Sequence, residues 1–479
     1  MSGRSPSSPR RRSPAKSRRP KSGSSRSSSR QQLSSKPRPS PARSRRVSRR
    51  TVLAVLAVTI ALVAGVLSVE LLNSQTSGVA VHNCLKELAC YTPQQFRVAY
   101  GVQPLLDRGI DGRGETVVLL EQEITTHVAP PKVTDIRQDL GRFDTLFGLP
   151  VAQLQVVNSL ARSPSPWLAD EEEVEDTEIV HAVAPEAAIR EILVSDSDLE
   201  STAATVTYGL AALRLGVIRA SVISVSSSKG ESCFTPAEIA EQNATLQTAR
   251  DRHVTVVISS GDFGVVSQPC PGETVGSDPV RGVNLLASDP LALAAGGTSL
   301  RASSTGAYIS ETAWDRPPDP PTVPESQGSG GGFSKVFGRP AYQDGVPGIG
   351  AFRGVPDVAA DAAGNTGMAL ASADGDQNYV LVGASGTSAA APFWAGVIAL
   401  ADQYAGRHLG FVNPALYRIG RSSLYKRAFH EVTSGTNTAV FPSQTFAGYQ
   451  AGPGWNPVTG WGSPNVEELV LLLARYAGS

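Results

Sequence analysis

From about residue 90 onward, short β-branched and apolar runs alternate with stretches of helical pattern. This alternation constrains the fold more than any other feature of the chain. A strand that is apolar on both sides must be covered on both sides, which happens when helices follow strands and the sheet is parallel. Strands are expected at 116–120, 189–194, 221–226, 254–259, 291–295 and 379–382, and helices near 135–147, 171–183, 201–215 and 236–253. The expected class is therefore α/β, a parallel sheet with helices on both faces. Right-handed crossovers then gather functional loops beyond the carboxyl ends of the strands. The sequence contains no internal repeat.

The chain ahead of that region is of a different kind. Lys plus Arg and Asp plus Glu both number 43, so the formal charge cancels over 479 residues. The first 50 residues nevertheless hold 17 Lys and Arg and no acid, which leaves 26 bases against 43 acids in the rest. A folded part with a net charge of −17 would repel phosphate, so nucleic acid is not expected as its partner. Residues 1–50 are nearly all Ser, Arg, Pro and Lys, offer no apolar face and are read as a disordered basic tail. Residues 51–69 then run for 19 positions without a charge, about 28 Å as a helix. A cleaved signal peptide competes with this reading, but a 50-residue basic lead is long for one.

The expected organisation is a cytoplasmic tail (1–50), a single membrane span (51–72), a short linker (73–90) and a domain outside the membrane (91–479), oriented by the positive tail. Four cysteines, Cys84, Cys90, Cys233 and Cys270, then fall on the oxidising side. Three pairings are open, and proximity favours Cys84 with Cys90 and Cys233 with Cys270.

Three short motifs carry chemistry. The run Gly383-Ala-Ser-Gly-Thr-Ser388-Ala-Ala-Ala-Pro392 follows a strand and opens an Ala-rich helix near Ser388, with Pro392 in its first turn. A hydroxyl there meets the positive end of a helix dipole and free N–H groups, although a lone serine at such a place is more simply a cap. A serine nucleophile needs a base, and none of the six histidines sits in a setting that suggests one. Glu171-Glu-Glu-Val-Glu-Asp176-Thr-Glu178 puts Glu172 and Asp176 one turn apart on one helix face. Two carboxyls held close cannot both ionise freely, which suits a base beside an orienting acid. Taken alone, an acidic run is more simply a solvated face. Ser259-Ser-Gly-Asp262-Phe-Gly264 follows an apolar strand and presents an acid at its end, or makes an ordinary turn.

Together these motifs resemble the sedolisin family of serine-carboxyl peptidases, relatives of the subtilisins. The resemblance runs from about Tyr91 to Leu472 and includes Tyr91-Thr-Pro-Gln-Gln-Phe, Ala184-Pro185, Gly330-Gly-Gly-Phe-Ser334, Pro356-Asp357 and Gly460-Trp-Gly-Ser-Pro464. It implies a subtilisin-like fold and hydrolysis of peptide or protein substrates at acidic pH. Ser388 would be the nucleophile, Glu172 its base, Asp176 the residue that orients the base, and Asp262 a donor to the oxyanion. A membrane-tethered, catalytically silent peptide-binding protein is the alternative. The chain departs from the family in having only residues 73–90 where a large pro-domain usually lies. It departs again at the family's calcium site, where Glu431, Val432, Gly452, Gly454 and Asn456 stand and an amide replaces one carboxylate. A weakened site for one calcium ion is the expectation.

Overall fold

The computed structural model describes residues 90–122, 134–158, 168–194, 220–226, 229–270, 279–318, 325–373 and 379–477. The expected tail, membrane span and linker, the helix at 201–215 and Cys84 lie outside these residues. Among the described residues no helix is long and apolar enough to cross a membrane.

Strands β1 (Thr116–Gln122), β2 (Gln153–Asn158), β3 (Ala188–Val194), β4 (Val222–Val225), β5 (Thr255–Ser259), β6 (Leu293–Ala302), β7 (Tyr308–Ala313) and β8 (Val358–Asp361) form one sheet. Its order is β8-β6-β5-β4-β1-β3-β2, all parallel, with β7 antiparallel on the far end of β6. Alternate residues of β1 show why both faces are apolar. Val117 and Leu119 enter one core cluster, while Val118 and Leu120 enter another on the opposite face. The first core takes in helices α1 (Ile136–Phe147), α2 (Glu171–Val183), α4 (Gly386–Ala405) and α5 (Val466–Tyr476). The second is covered by Leu246 and Ala249 of α3 (Pro236–Asp251).

The helix α4 is buried along most of its length, which its Ala-rich composition permits. It crosses α2 where Gly396 meets Val183, so closely that a Cβ on Gly396 would lie 2.8 Å from the valine side chain. Small residues at this crossing set the spacing between the two helices that carry Ser388 and Glu172.

The chain starts in the middle of the sheet at β1, builds outward through β2 and β3, then returns to the other side of β1 with β4. Neighbouring strands that diverge in this way leave a crevice at their carboxyl ends. Glu121 and Ser226 lie at that point, one near the end of β1 and one just after β4.

Most expected elements are present. The one at 379–382 is a strand, β10 (Tyr379–Gly383), but it does not join the sheet. It pairs antiparallel with β9 (Ala369–Ala373) as a separate two-stranded ribbon leading into α4. Cys233 and Cys270 form a disulfide, as proximity suggested.

Candidate active site

Ser388 is positioned by the backbone before it. Ser385 precedes α4 in an extended conformation, and Gly386 takes φ +86°, which a side chain would resist. A Cβ on Gly386 would also lie 3.1 Å from Asp262 Oδ2. The helix therefore begins at Gly386, so Ser388 is its third residue and Pro392 lies in its second turn rather than its first. Proline has no N–H, so the carbonyl four residues earlier, that of Ser388, loses its intrahelical donor. The Ser226 hydroxyl reaches that carbonyl at 3.4 Å, while Ser388 Oγ donates to the Ser226 carbonyl at 3.3 Å.

The acidic helix α2 is held at its start by Asp170, which accepts from the N–H of Glu172 and Glu173 while Glu173 bonds back to Asp170 N–H. It is not a solvated face. Glu173, Glu175, Asp176 and Glu178 are all buried. Asp176 accepts from Ser226 Oγ at 2.7 and 3.0 Å. Burial pushes the Asp176 carboxyl up to about 7, against hydrogen bonds from Ser226 and Glu121 that pull it down. Burial likewise raises Glu172 well above the ordinary carboxylate range, and the neighbouring Asp176 raises it further, while a hydrogen bond with Ser388 acts in the opposite direction. Glu121 is raised in the same way, by burial and then by Asp176. Three carboxyls, Glu121, Asp176 and Glu172, thus lie close enough for the charge of one to raise the others, with Glu172 beside the Ser388 hydroxyl, and they titrate as a set.

The same helix also holds the segment that delivers Ser388. Glu175 accepts from Ser385 N–H at 3.0 Å and Glu178 from Ala371 N–H at 2.9 Å. The spacing between base and hydroxyl is therefore set by two further acids of α2, neither of which touches Ser388.

Asp262 enters from the end of β5. Its Oδ1 accepts from Thr387 N–H and Thr387 Oγ, both at 2.8 Å, and Thr387 Oγ accepts from Gly261 N–H at 2.9 Å. Burial raises this carboxyl, and the two bonds from Thr387 restrain the rise. Gly330 packs on this loop so tightly that a Cβ would lie 2.3 Å from the Ser260 carbonyl. Glu172, Asp262, Thr387 and Ser388 line one pocket of about 250 Å³.

The structure thus brings Glu172, Asp176, Asp262 and Ser388 together from three separated segments. His181, on the same helix as Glu172, is fully buried and bonds Asp144 and Pro150, so it is a packing residue. Sequence reasoning missed Glu121, Ser226 and Glu175. Glu121 carried one signal, an acid at the end of an otherwise apolar strand. Ser226 stands in a run of serines and carried none.

The five residues at the expected calcium position do not fit an ion. Asn456 Oδ1 accepts from the backbone N–H of Val458 and Thr459 at 3.1 and 3.0 Å, which fixes the orientation of the amide. Its NH₂ group then donates to the carbonyls of Gly452 at 3.1 Å and Val432 at 3.4 Å. The positive end of the amide dipole takes the place of a cation between those oxygens. Glu431 accepts from Gly454 N–H at 2.9 Å. Among the described residues no cluster of His, Cys, Asp or Glu could hold a metal ion. Calcium or a chelator is accordingly expected to leave the melting temperature of the protein unchanged. Asn456→Asp should lose stability in chelator and regain it on adding calcium, since an ion bound only to the folded state stabilises it. A chelator-induced drop of several degrees in the unaltered protein, on the order of 1 kcal/mol, would contradict this reading of Asn456.

No model of a known protein family matches the chain. It is 31% identical over 398 residues to kumamolisin from Bacillus sp. (strain MN-32), an alignment covering 81% of this chain and 64% of kumamolisin. It is 34% identical over 229 residues to sedolisin from Pseudomonas sp. (strain 101), covering 48% of this chain and 36% of that protein. With human tripeptidyl-peptidase 1 it shares 30% identity over 277 residues, 53% of this chain and 43% of that one. The chain therefore spans less than two thirds of the length of these relatives. Among solved structures, Pseudomonas sedolisin, a serine-carboxyl proteinase complexed with two molecules of pseudo-iodotyrostatin, superimposes with a TM-score of 0.65 at 26% identity, over 81% of this chain and 98% of that one. The order of the motifs, the parallel sheet and these similarities agree. The chain belongs to the sedolisin family of serine-carboxyl peptidases.

Proposed function

We propose that the protein is a membrane-anchored serine-carboxyl endopeptidase that hydrolyses peptide bonds through an acyl-enzyme on Ser388. The observation that carries this reading is the convergence of Ser388, Glu172, Asp176 and Asp262 around one pocket. Ser388 Oγ attacks the scissile carbonyl carbon and its proton passes to Glu172. The oxyanion that forms accepts hydrogen bonds from the protonated Asp262 carboxyl and from the Ser388 N–H, which lies in the first turn of α4 where no intrahelical acceptor is available. As the tetrahedral intermediate collapses, the C–N bond breaks and Glu172 returns the proton to the leaving amine. Water then attacks the ester with Glu172 again taking the proton, and Ser388 is regenerated. Asp176, held by Ser226 and Glu121, keeps Glu172 in place and shares its proton.

The fold is read as extending from residue 91 to 479, and the apolar stretch at 51–72 as a single-pass anchor with its basic side in the cytoplasm. The Cys233–Cys270 disulfide supports an oxidising location for the domain. The substrate is a peptide or protein. Calcium has no assigned step. An epitope tag ahead of residue 51 should be protected from external protease in intact cells and one after Ser479 accessible. The reverse pattern would discard the anchor and the location together.

The pH dependence follows from the direction of each shift. Glu172 accepts a proton only when its carboxyl group is ionised, so turnover falls as the coupled set protonates in acid. Asp262 donates to the oxyanion only when protonated, so turnover also falls as pH rises through its elevated pKa. The outcome is a bell on the acidic side. Stability follows the same groups. Asp176 and Glu191, both pushed by burial to about 7, are protonated in the folded state above the pH at which they ionise when unfolded. The stability they contribute is complete below the ordinary carboxylate range and is lost as pH rises through about 7. A pH series of hydrolysis and melting checks both. Asp262→Asn should retain some turnover and extend the alkaline limb, whereas Ser388→Ala should abolish hydrolysis with the melting temperature preserved. Greatest activity above about pH 8, or full hydrolysis by Ser388→Ala, would refute the mechanism.

A further inference from the structure

The pocket beside Ser388 has a composition that the proposed mechanism does not use. Apart from Gly261, every residue lining it bears a polar side chain, among them Lys229, Gln268 and Asn284. No aliphatic or aromatic side chain lines it. An apolar substrate side chain placed there would strip water from these groups and give nothing back.

Lys229 is the only basic residue of the lining. It is half-buried, and its ammonium has no ion-pair partner among the described residues. Of the two acids that share the pocket, Asp262 accepts from Thr387 through Oδ1, and neither forms an ion pair with Lys229 among the described residues. The acid nearest in sequence, Glu231, accepts from Ser288 Oγ, Ser334 Oγ and Lys335 N–H. Burial raises both Glu172 and Asp262 above the ordinary carboxylate range, which disfavours their ionised forms, and Lys229 is the one cation of the lining.

The backbone around Lys229 is held on each side. Its carbonyl accepts from Leu285 N–H at 2.8 Å, and the next residue, Gly230, donates to the Gln268 carbonyl at 3.2 Å. Gln268 N–H donates to Asn284 Oδ1 at 2.9 Å. The Cys233–Cys270 disulfide ties the two walls together a few residues beyond. A charged group set on a braced wall loses little entropy when it binds, which is what a specificity contact requires.

We infer that this pocket receives the side chain of the substrate residue whose carbonyl Ser388 attacks, and that Lys229 selects a glutamate or aspartate there. The inference rests on the peptidase reading above, since the residue bonded to the attacked carbonyl is the one whose side chain reaches a pocket lined by Ser388 itself. A substrate glutamate ionises near pH 4.3, so it is charged in mild acid and can pair with the Lys229 ammonium.

The test uses quenched fluorescent peptides that differ only at that residue (Glu, Gln, Leu or Lys), with the full chain, at about pH 5.5, where free glutamate is ionised. The Glu peptide should exceed the Gln peptide in kcat/KM by about tenfold, as expected for a charge-assisted hydrogen bond. Lys229→Met should bring the two to parity, and Lys229→Glu should reverse the order of the Glu and Lys peptides. Cleavage of all four at similar rates, or a Glu preference that survives Lys229→Glu, would overturn the assignment of Lys229 while leaving the peptidase reading intact. Absence of hydrolysis of any of the four across the pH series would overturn the peptidase reading, and this inference with it.

Discussion

The architecture of the site depends on the burial of an acidic helix. Helix α2 carries Glu172, Glu173, Glu175, Asp176 and Glu178, and packs between the sheet and α4 with four of these five acids out of solvent. Ionised carboxylates are costly there, so burial raises their pKa values, and Glu173, Glu175 and Glu178 accept from backbone N–H groups. That one constraint sets the rest. Glu175 and Glu178 fasten the ribbon and the loop ahead of α4, Asp176 joins Ser226 and Glu121 at the strand ends, and Glu172 is left facing Ser388. A group that is expensive to ionise inside the fold is also one whose proton is easily shared, which is the property that a carboxylate base at acidic pH needs.

Much of this was legible in the chain. The bounds of α2 follow from Asp170 as a cap and from Ala184-Pro185 after its end, and the four-residue spacing of Glu172 and Asp176 places them on one face. The sequence does not show whether that face meets water or protein, because the acidic run has no apolar stripe from which burial could be read. The ribbon strand at 379–383 illustrates the same limit. Its β-branched residues identify a strand, but which strand it pairs with is decided by the return of the chain over α2 rather than by local pattern. Pro392 was placed one turn too early because the helix starts at Gly386, whose positive φ only the folded backbone reveals.

In the C-terminal part of the chain the substitution of an amide for a carboxylate has a structural consequence of its own. Asn456 closes its loop with neutral hydrogen bonds to Val432, Gly452, Val458 and Thr459, where the family resemblance suggested an ion. At the substrate end, the Cys233–Cys270 bridge braces the pocket that holds Lys229. Both features lie outside α2 and the first turns of α4, the segments that carry Glu172, Asp176 and Ser388.

The central claim is that Ser388 is made nucleophilic by Glu172 within a set of buried, proton-sharing carboxyls. The most direct measurement is covalent: the protein is treated with a serine-reactive peptide phosphonate over a pH series, and the modified residue is located by peptide mass spectrometry. The account expects a single adduct on Ser388, forming fastest in acid and slowed at least about a hundredfold by Glu172→Gln, the loss typical of removing a general base. Labelling of another serine, or a Ser388 adduct whose rate is indifferent to Glu172→Gln, would contradict it.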